Sequence, residues 1–296
     1  MKTYIITGAT GNTGKPITLG LLEKGHKVRI ISRSAEKAKE LTDKGAELFL
    51  GDTYDMNLVK KAFTGADAVY AMIPFDAAAP DYTASQVRHA TAIAEGIKVN
   101  GVKYAVMLSS VGAHLSEGAG VVQGLQKTEA IFNTIVGLNA MYLRAGYFME
   151  NTLMQVGAIK FIGALASPVL ADLKIPMVAT RDIAEVALRY LLDLSFTGKS
   201  VDYVLGQRDV SYNEIAGIYG MAIGIPDLKY HAGSYDEGKQ AMFHMGMGES
   251  VVNKLLEFVQ AMNEGRALGD AKRTPANTTP TSIEDFSKVF KAVYEM

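Results

Sequence analysis

The chain has 296 residues, 48% hydrophobic and 21% charged, with 30 Lys plus Arg against 31 Asp plus Glu and no cysteine. That length suits about two domains of ~150 residues, or one large domain with an appended part, and a chain of this size buries roughly 75% of its unfolded surface without staples. The net charge of -1 gives no support for a nucleic-acid or membrane-surface partner, which would show as a basic excess, and the lack of cysteine excludes disulfides, thiolate metal sites and a cysteine nucleophile.

The apolar run at the start, Tyr4-Ile5-Ile6, is too short for a signal peptide. The stretch from Leu153 to Leu173 is interrupted by Gln155, Lys160, Pro168 and Asp172, so it falls short of the ~20 continuous apolar residues of a membrane span. The expected location is cytoplasmic.

Tyr4-Ile5-Ile6 reads as a buried strand ending at Gly8, and Lys15 to Lys24 as a helix stopped by Gly25. The pattern repeats: strand Lys27–Ser32, helix Ala35–Lys44, strand Glu47–Leu50, helix Met56–Phe63, strand Ala68–Met72 and helix Tyr82–Asn100. Strand Tyr104–Leu108, helix Gly124–Val136 and strand Ala140–Arg144 follow. Strands alternating with helices predict parallel pairing and a Rossmann doubly wound α/β sheet. After Gly146 the rhythm weakens. A helix from Thr180 to Leu194 begins with Asp182 near its positive end, and Ser200 to Leu205 reads as a strand. A glycine-bearing helix starts at Ser211, one methionine-rich helix spans Tyr235 to Asn263, a polar connection covers 264–282, and a helix from Ser282 to Glu295 closes the chain. The expected division is a nucleotide-binding part over 1–150 and a smaller C-terminal α/β lobe over 151–296, with 180–206 packing back on the first sheet.

Gly8-Ala9-Thr10-Gly11-Asn12-Thr13-Gly14 carries the strongest chemical signal. It follows a strand and opens a helix at Lys15-Pro16, where a proline without an N–H costs nothing. Gly8 permits the tight turn, Gly11 leaves room for a pyrophosphate, and Gly14 lets helix and strand approach. The phosphate then meets free N–H groups at a positive helix end. The plain alternative is a glycine-rich turn. Ser32-Arg33-Ser34 closes the second strand, with Arg33 nineteen residues after Gly14 and no acidic residue beside it. An acidic residue there would take a ribose hydroxyl, whereas an arginine forks onto a 2′-phosphate, so the cofactor is read as NADP(H). Asp52 after the third strand is placed to accept from an adenine amino group, with a turn aspartate as the alternative. Met72-Ile73-Pro74 would flank the adenosine.

These residues, together with Leu143-Arg144-Ala145-Gly146-Tyr147-Phe148-Met149-Glu150-Asn151, resemble the NmrA-like family of atypical short-chain dehydrogenases. That family includes NADPH-dependent quinone and triphenylmethane-dye reductases, and regulators that bind the dinucleotide without known turnover. The resemblance implies cofactor binding by Gly8, Gly11, Gly14, Arg33 and Asp52, a Ser109-Ser110-Val111 loop passing the nicotinamide, and Lys127 at the nicotinamide ribose. Where typical short-chain dehydrogenases carry a tyrosine acid four residues before that lysine, this chain has Gln123.

Lys127 on a first helical turn, His114 beyond the fifth strand and Tyr147 after the sixth are the catalytic candidates. Tyr147, Phe148 and Met154, with Tyr142, are placed to line an apolar cleft for a small electrophile, with plain core packing as the alternative. Met242, Met245 and Met247 beside Phe243 form a soft patch or simply fill a core-facing helix. No His, Asp or Glu cluster has ligand spacing, so no metal is expected. Quinones and delocalised cationic dyes need little proton donation, which suits a site without the tyrosine. The rival reading is a redox sensor that binds NADP(H) without turnover, and the chain is expected as a monomer or homodimer.

Overall fold

The computed structural model describes residues 1–269 and 271–296. In chain order, β1 (Thr3–Thr7), α1 (Gly14–Glu23), β2 (Lys27–Ser32), α2 (Ala35–Asp43), β3 (Glu47–Leu50) and α3 (Met56–Ala62) come first. They are followed by β4 (Ala68–Ala71), α4 (Tyr82–Asn100), β5 (Tyr104–Ser110), α5 (Gln123–Asn133) and β6 (Asn139–Ala145). Ser34, Asp55 and Asp81 cap α2, α3 and α4 by accepting first-turn N–H groups, which fixes where each helix leaves its preceding loop. Helix α5 ends at Asn133 rather than at the expected Val136.

The second half contains β7 (Tyr147–Phe148), α6 (Gln155–Ile162), β8 (Ala164–Ser167), β9 (Ile175–Val178), α7 (Thr180–Asp193) and β10 (Lys199–Val204). It continues with β11 (Asp209–Val210), α8 (Tyr212–Ile223), β12 (Lys229–Ala232), α9 (Tyr235–His244), α10 (Glu249–Asn263) and α11 (Ile283–Tyr294). Ser211 and Glu214 form a reciprocal capping box that starts α8 despite its glycines. The single helix expected from Tyr235 to Asn263 is two. Gly246 adopts φ +79° between them, a backbone that favours glycine and breaks helical hydrogen bonding, and α10 restarts from Gly248.

Among the described residues, seven strands form one parallel sheet in the order β3-β2-β1-β4-β5-β6-β10. Strand side chains alternate between its faces. Tyr4 and Ile6 join Ile17, Leu21, Ile183, Ala187 and Leu191 under α1 and α7. Ile5 joins Val59, Phe63, Ile93, Ile97 and Phe132 under α3, α4 and α5. Gly20 lets α1 and α7 close together, since a Cβ there would stand 2.5 Å from Leu188 Cδ2. A third cluster gathers Met149, Ile159, Leu165, Ile175, Tyr212, Tyr219, Phe258 and Phe290. It sits over two small sheets, β11-β9-β7 and β12-β8. These strands of two to four residues are too short to leave a periodic signal, and the sequence reading did not find them. The polar stretch 271–282 is pinned. Arg273 donates to the Gly206 carbonyl and to Asp209, and Asp182 accepts from the Thr281 N–H and hydroxyl.

Candidate functional site

β1 is flanked by β2 on one side and β4 on the other. The chain therefore winds in opposite senses from β1, and the carboxyl ends of these strands part to leave a crevice. The glycine loop lies across it, and each glycine answers a different constraint. Gly8 has φ +65°, and a Cβ there would meet Met72 Cε at 1.8 Å. A Cβ on Gly14 would stand 2.2 Å from the Gly8 carbonyl oxygen, so the start of α1 folds tightly onto the turn. Gly11 is exposed, and the nearest atom to its Cβ position is the Gly8 oxygen at 3.3 Å. A side chain at Gly11 would require the Gly8 carbonyl to give by a few tenths of an ångström, and it would occupy the cradle in front of the helix end. In the first turn of α1 the Lys15 N–H is spent on the Gly11 carbonyl at 3.0 Å and Pro16 has no N–H, so an anion there would be favoured by the helix dipole and the remaining loop N–H groups.

A cavity of ≈ 300 Å³ opens beside this loop. Gly8, Thr10, Gly11, Ser32, Arg33, Asp52, Met72 and Pro74 line it, and Lys37, Thr53 and Phe75 complete the wall. Arg33 reaches outward with 71% of its side chain exposed, and its Nη1 stands 3.9 Å from Asp52 Oδ2. Lys37, missed by the sequence reading, sits one turn into α2, three residues after the cap Ser34. The β2 end thus presents two cations, Arg33 only loosely paired with Asp52 at 3.9 Å, a donor set that fits a 2′-phosphate. Of the two serine hydroxyls here, Ser32 has spent its hydrogen, whereas Ser34 only accepts. Ser32 Oγ donates to the Ser34 carbonyl at 3.0 Å, and Ser34 Oγ accepts from Lys37 N–H at 3.2 Å. Asn12 lies on the other side of the loop, in a second cavity shared with Lys15, Glu150, Thr180 and Arg181.

Two expected contacts do not reach the crevice as side chains. The Thr13 hydroxyl accepts from Tyr70 at 3.0 Å and is buried, which leaves only backbone for a ligand. Ile73 packs among Val59, Phe63 and Ile93, because alternation past β4 turns Met72 and Pro74 outward and Ile73 inward.

Ser109, Ser110 and Val111 stand at the end of β5. Ser109 Oγ donates to Glu129 Oε1 at 2.5 Å. Arg144 clamps the same carboxylate, with Nε 3.1 Å from Oε1 and Nη2 2.8 Å from Oε2, and its Nη1 donates to Tyr203 at 3.3 Å. Burial opposes the Arg144 charge, but the bonds to Glu129 and Tyr203 outweigh it and raise the guanidinium pKa. The β5 and β6 ends are therefore fixed by a buried ion pair that the sequence reading did not find.

Lys127 falls in the second turn of α5 rather than the first and is exposed. His114 is also exposed. Gln123, at the position of the usual tyrosine, is buried and donates to the Ser116 carbonyl at 2.8 Å, so it holds the β5–α5 loop. Tyr147 and Phe148 point to opposite faces of β7: Tyr147 packs on the C-terminal cluster and Phe148 on the sheet core. Met154 is half exposed, and Tyr142 is buried with its hydroxyl on Asn133. The apolar wall expected from Tyr147, Phe148 and Met154 is thus divided between three surroundings, and only Tyr147 keeps an aromatic neighbourhood. Burial pushes its phenol pKa up, while hydrogen bonds to Tyr212 and Asn151 pull it back. The soft patch at Met242, Met245 and Met247 lies at the α9 terminus, with Met245 exposed. Among the described residues, no cluster of three His, Asp or Glu side chains is placed to hold a metal, and no helix is long and apolar enough to cross a membrane.

Strand order, switch point and glycine loop together define the Rossmann class of dinucleotide-binding folds. The NmrA-like family model matches residues 1–287, and the chain belongs to that family. An NAD(P)H azoreductase from Xenophilus azovorans is 30% identical over 264 residues, covering 89% of this chain and 86% of the relative. Among solved structures, an NADPH-dependent quinone oxidoreductase from Escherichia coli in complex with NADPH is 20% identical, with TM-score 0.81 over 97% of this chain and 99% of that one. The triphenylmethane reductase of Citrobacter sp. is also 20% identical, with TM-score 0.79 over 99% and 100%.

Proposed function

We propose that this protein is an NADPH-dependent oxidoreductase acting on small, flat, delocalised electrophiles such as quinones, azo compounds or cationic dyes. The observation that carries the cofactor choice is the cavity beside the glycine loop. Gly11 leaves the pyrophosphate cradle open, and Arg33 with Lys37 supplies positive charge where an NAD-binding site would place a carboxylate. The azoreductase likeness, at 30% identity over 89% of the chain, supports the reaction class.

Bound NADPH would supply the hydride. The chain's own contribution is to hold and orient it. The α1 terminus and Gly11 take the pyrophosphate, Arg33 and Lys37 the 2′-phosphate, and Asp52 the adenine amino group. The Ser109–Val111 backbone, anchored through Glu129 and Arg144, sets the depth of the nicotinamide. Lys127 orients its ribose from α5. Tyr147 stays protonated at neutral pH, since its pKa is raised, and serves as a hydrogen-bond donor to the acceptor rather than as a strong acid. With Gln123 where an acid would stand, acceptors that delocalise the incoming charge are favoured. We read residues 1–150 and 180–206 as the cofactor half and the remainder as the substrate lobe.

The test is NADPH oxidation with a panel of quinones, azo dyes, triphenylmethane dyes and simple ketones. Turnover is expected with the delocalised acceptors and not with the ketones. Tight NADPH binding with no oxidation by any acceptor would overturn the enzyme reading in favour of a sensor.

A further inference from the structure

His89 lies in the middle of α4, buried at 4% exposure, and nothing in the reaction so far uses it. Its Nδ1 stands 2.7 Å from Thr53 Oγ1 and 3.4 Å from Asp52 Oδ1. Tyr54 packs edge-on to the imidazole with ring centroids 5.3 Å apart, and Arg88 covers that tyrosine at 3.8 Å. The ring is thus sealed on the protein side and faces the two residues that line the adenosine cavity.

Burial lowers the His89 pKa. Asp52 opposes that shift, Arg88 and Arg33 add to it, and Asp76 opposes it more weakly. The ring is neutral at neutral pH and carries one N–H. The carboxylate decides which nitrogen holds it. A bare Nδ1 would point its lone pair at Asp52 Oδ1, whereas Nδ1–H donates to the Thr53 oxygen and faces the carboxylate favourably. Once Thr53 Oγ1 accepts that proton, its own hydroxyl hydrogen is free to turn into the cavity.

We infer that His89 is a positioning residue for base recognition. Its Nδ1–H fixes Asp52 as an acceptor and Thr53 as a hydroxyl donor, side by side on the cavity wall, so that together they read the amino group and ring nitrogen of adenine's Watson–Crick edge. Hypoxanthine reverses both groups: its carbonyl meets the acceptor-only Asp52 carboxylate, and its ring N–H makes no use of the hydroxyl hydrogen that His89 frees on Thr53. This inference rests on the NADPH reading of the same cavity.

The test compares NADPH with its hypoxanthine counterpart, in which the 6-amino group is a carbonyl, by equilibrium binding to wild type, His89→Phe and His89→Asn. Phenylalanine keeps the ring volume without a donor, and asparagine returns a donor near the Nδ1 position. A hydrogen-bond network of this kind predicts about a tenfold loss of NADPH affinity in His89→Phe, less than about twofold loss for the hypoxanthine form, and recovery to within about threefold in His89→Asn. Nitrogen-15 NMR of the ligand-free wild type gives a readout independent of turnover, with the proton expected on Nδ1. Equal losses for both nucleotides, no rescue by asparagine, or the proton on Nε2 would overturn the inference. Wild-type protein that binds neither nucleotide would remove the cofactor reading and this inference with it. Wild-type binding with equal losses removes this inference alone.

Discussion

The two ends of the crevice are built differently. At the end we propose for the adenosine, polar groups converge on one cavity: Arg33, Lys37, Asp52 and Thr53 all line it, and His89 stands behind the last two. At the end where we propose that the nicotinamide sits, the polar side chains of β5, β6 and the start of α5 are turned into the protein, while Lys127 is exposed. Ser109 is spent on Glu129, Glu129 on Arg144, and Gln123 on the Ser116 carbonyl. One end offers a cavity several polar side chains line, and at the other a buried network holds the strand ends still, with Lys127 and Tyr147 left for the ligand in the proposed reading. A hydride transfer needs the second kind of order when the acceptor absorbs the incoming charge unaided, because geometry then matters more than proton supply.

The sharpest way to break this contrast is Glu129→Leu. It leaves the Arg144 guanidinium buried without its carboxylate, so stability should fall by about 3–5 kcal/mol. Thermal unfolding would register this as a drop in Tm. If the network serves the nicotinamide end alone, the surviving folded protein should bind 2′-phospho-ADP-ribose as wild type does. An equal loss for that fragment would mean that the two ends are not separate.

Gly11→Val tests the other end. Its Cβ would press on the Gly8 oxygen at 3.3 Å and its side chain would fill the pyrophosphate cradle, so NADPH affinity should fall more than about a hundredfold, near 2.7 kcal/mol, with a far smaller effect on Tm. A variant with normal affinity would reduce the loop to a structural turn. Arg33→Ala should cost about tenfold or more in NADPH affinity and far less for NADH, since a charge-assisted contact is worth ~1.5–3 kcal/mol. Titration of both dinucleotides checks this, and an unchanged preference would assign the 2′-phosphate elsewhere.

The smallest effect lies far from the crevice. The Lys174 side-chain bond, then the bonds from the Ser211 N–H and hydroxyl, hold the Glu214 pKa down to about 2 from 4.5. A depressed carboxylate stabilises the fold above its unfolded pKa, and that contribution is lost as pH falls from about 4.5 through about 2. The side chain is over a third exposed, so solvent screening limits the contribution to under about 1 kcal/mol. Glu214→Gln should therefore flatten the acid limb of the stability curve slightly and leave cofactor binding untouched. A large acid-limb change would place more of the C-terminal lobe's stability in surface charge than its buried cluster suggests.

What the sequence determined by itself is local. The alternation of β1 with its glycine loop, the caps at Ser34, Asp55 and Asp81, and the parallel rhythm through β6 all arise from interactions within a few residues, where periodicity and turn chemistry leave a direct mark. The same locality placed Arg33 and Asp52 at strand ends, on the wall of the cavity beside the glycine loop. Tertiary structure decided the rest. His89 lies 36 residues from Thr53 and reads in sequence as one more position on an amphipathic helix. Glu129 and Arg144 lie 15 apart on α5 and β6, with no spacing rule to pair them. Tyr147 and Phe148 are neighbours in the chain yet pack into different cores, because a strand of two residues presents one side chain to each side. Side chains at such distances are brought together only when the sheet and its covering helices close, so no short window of sequence contains the information that pairs them.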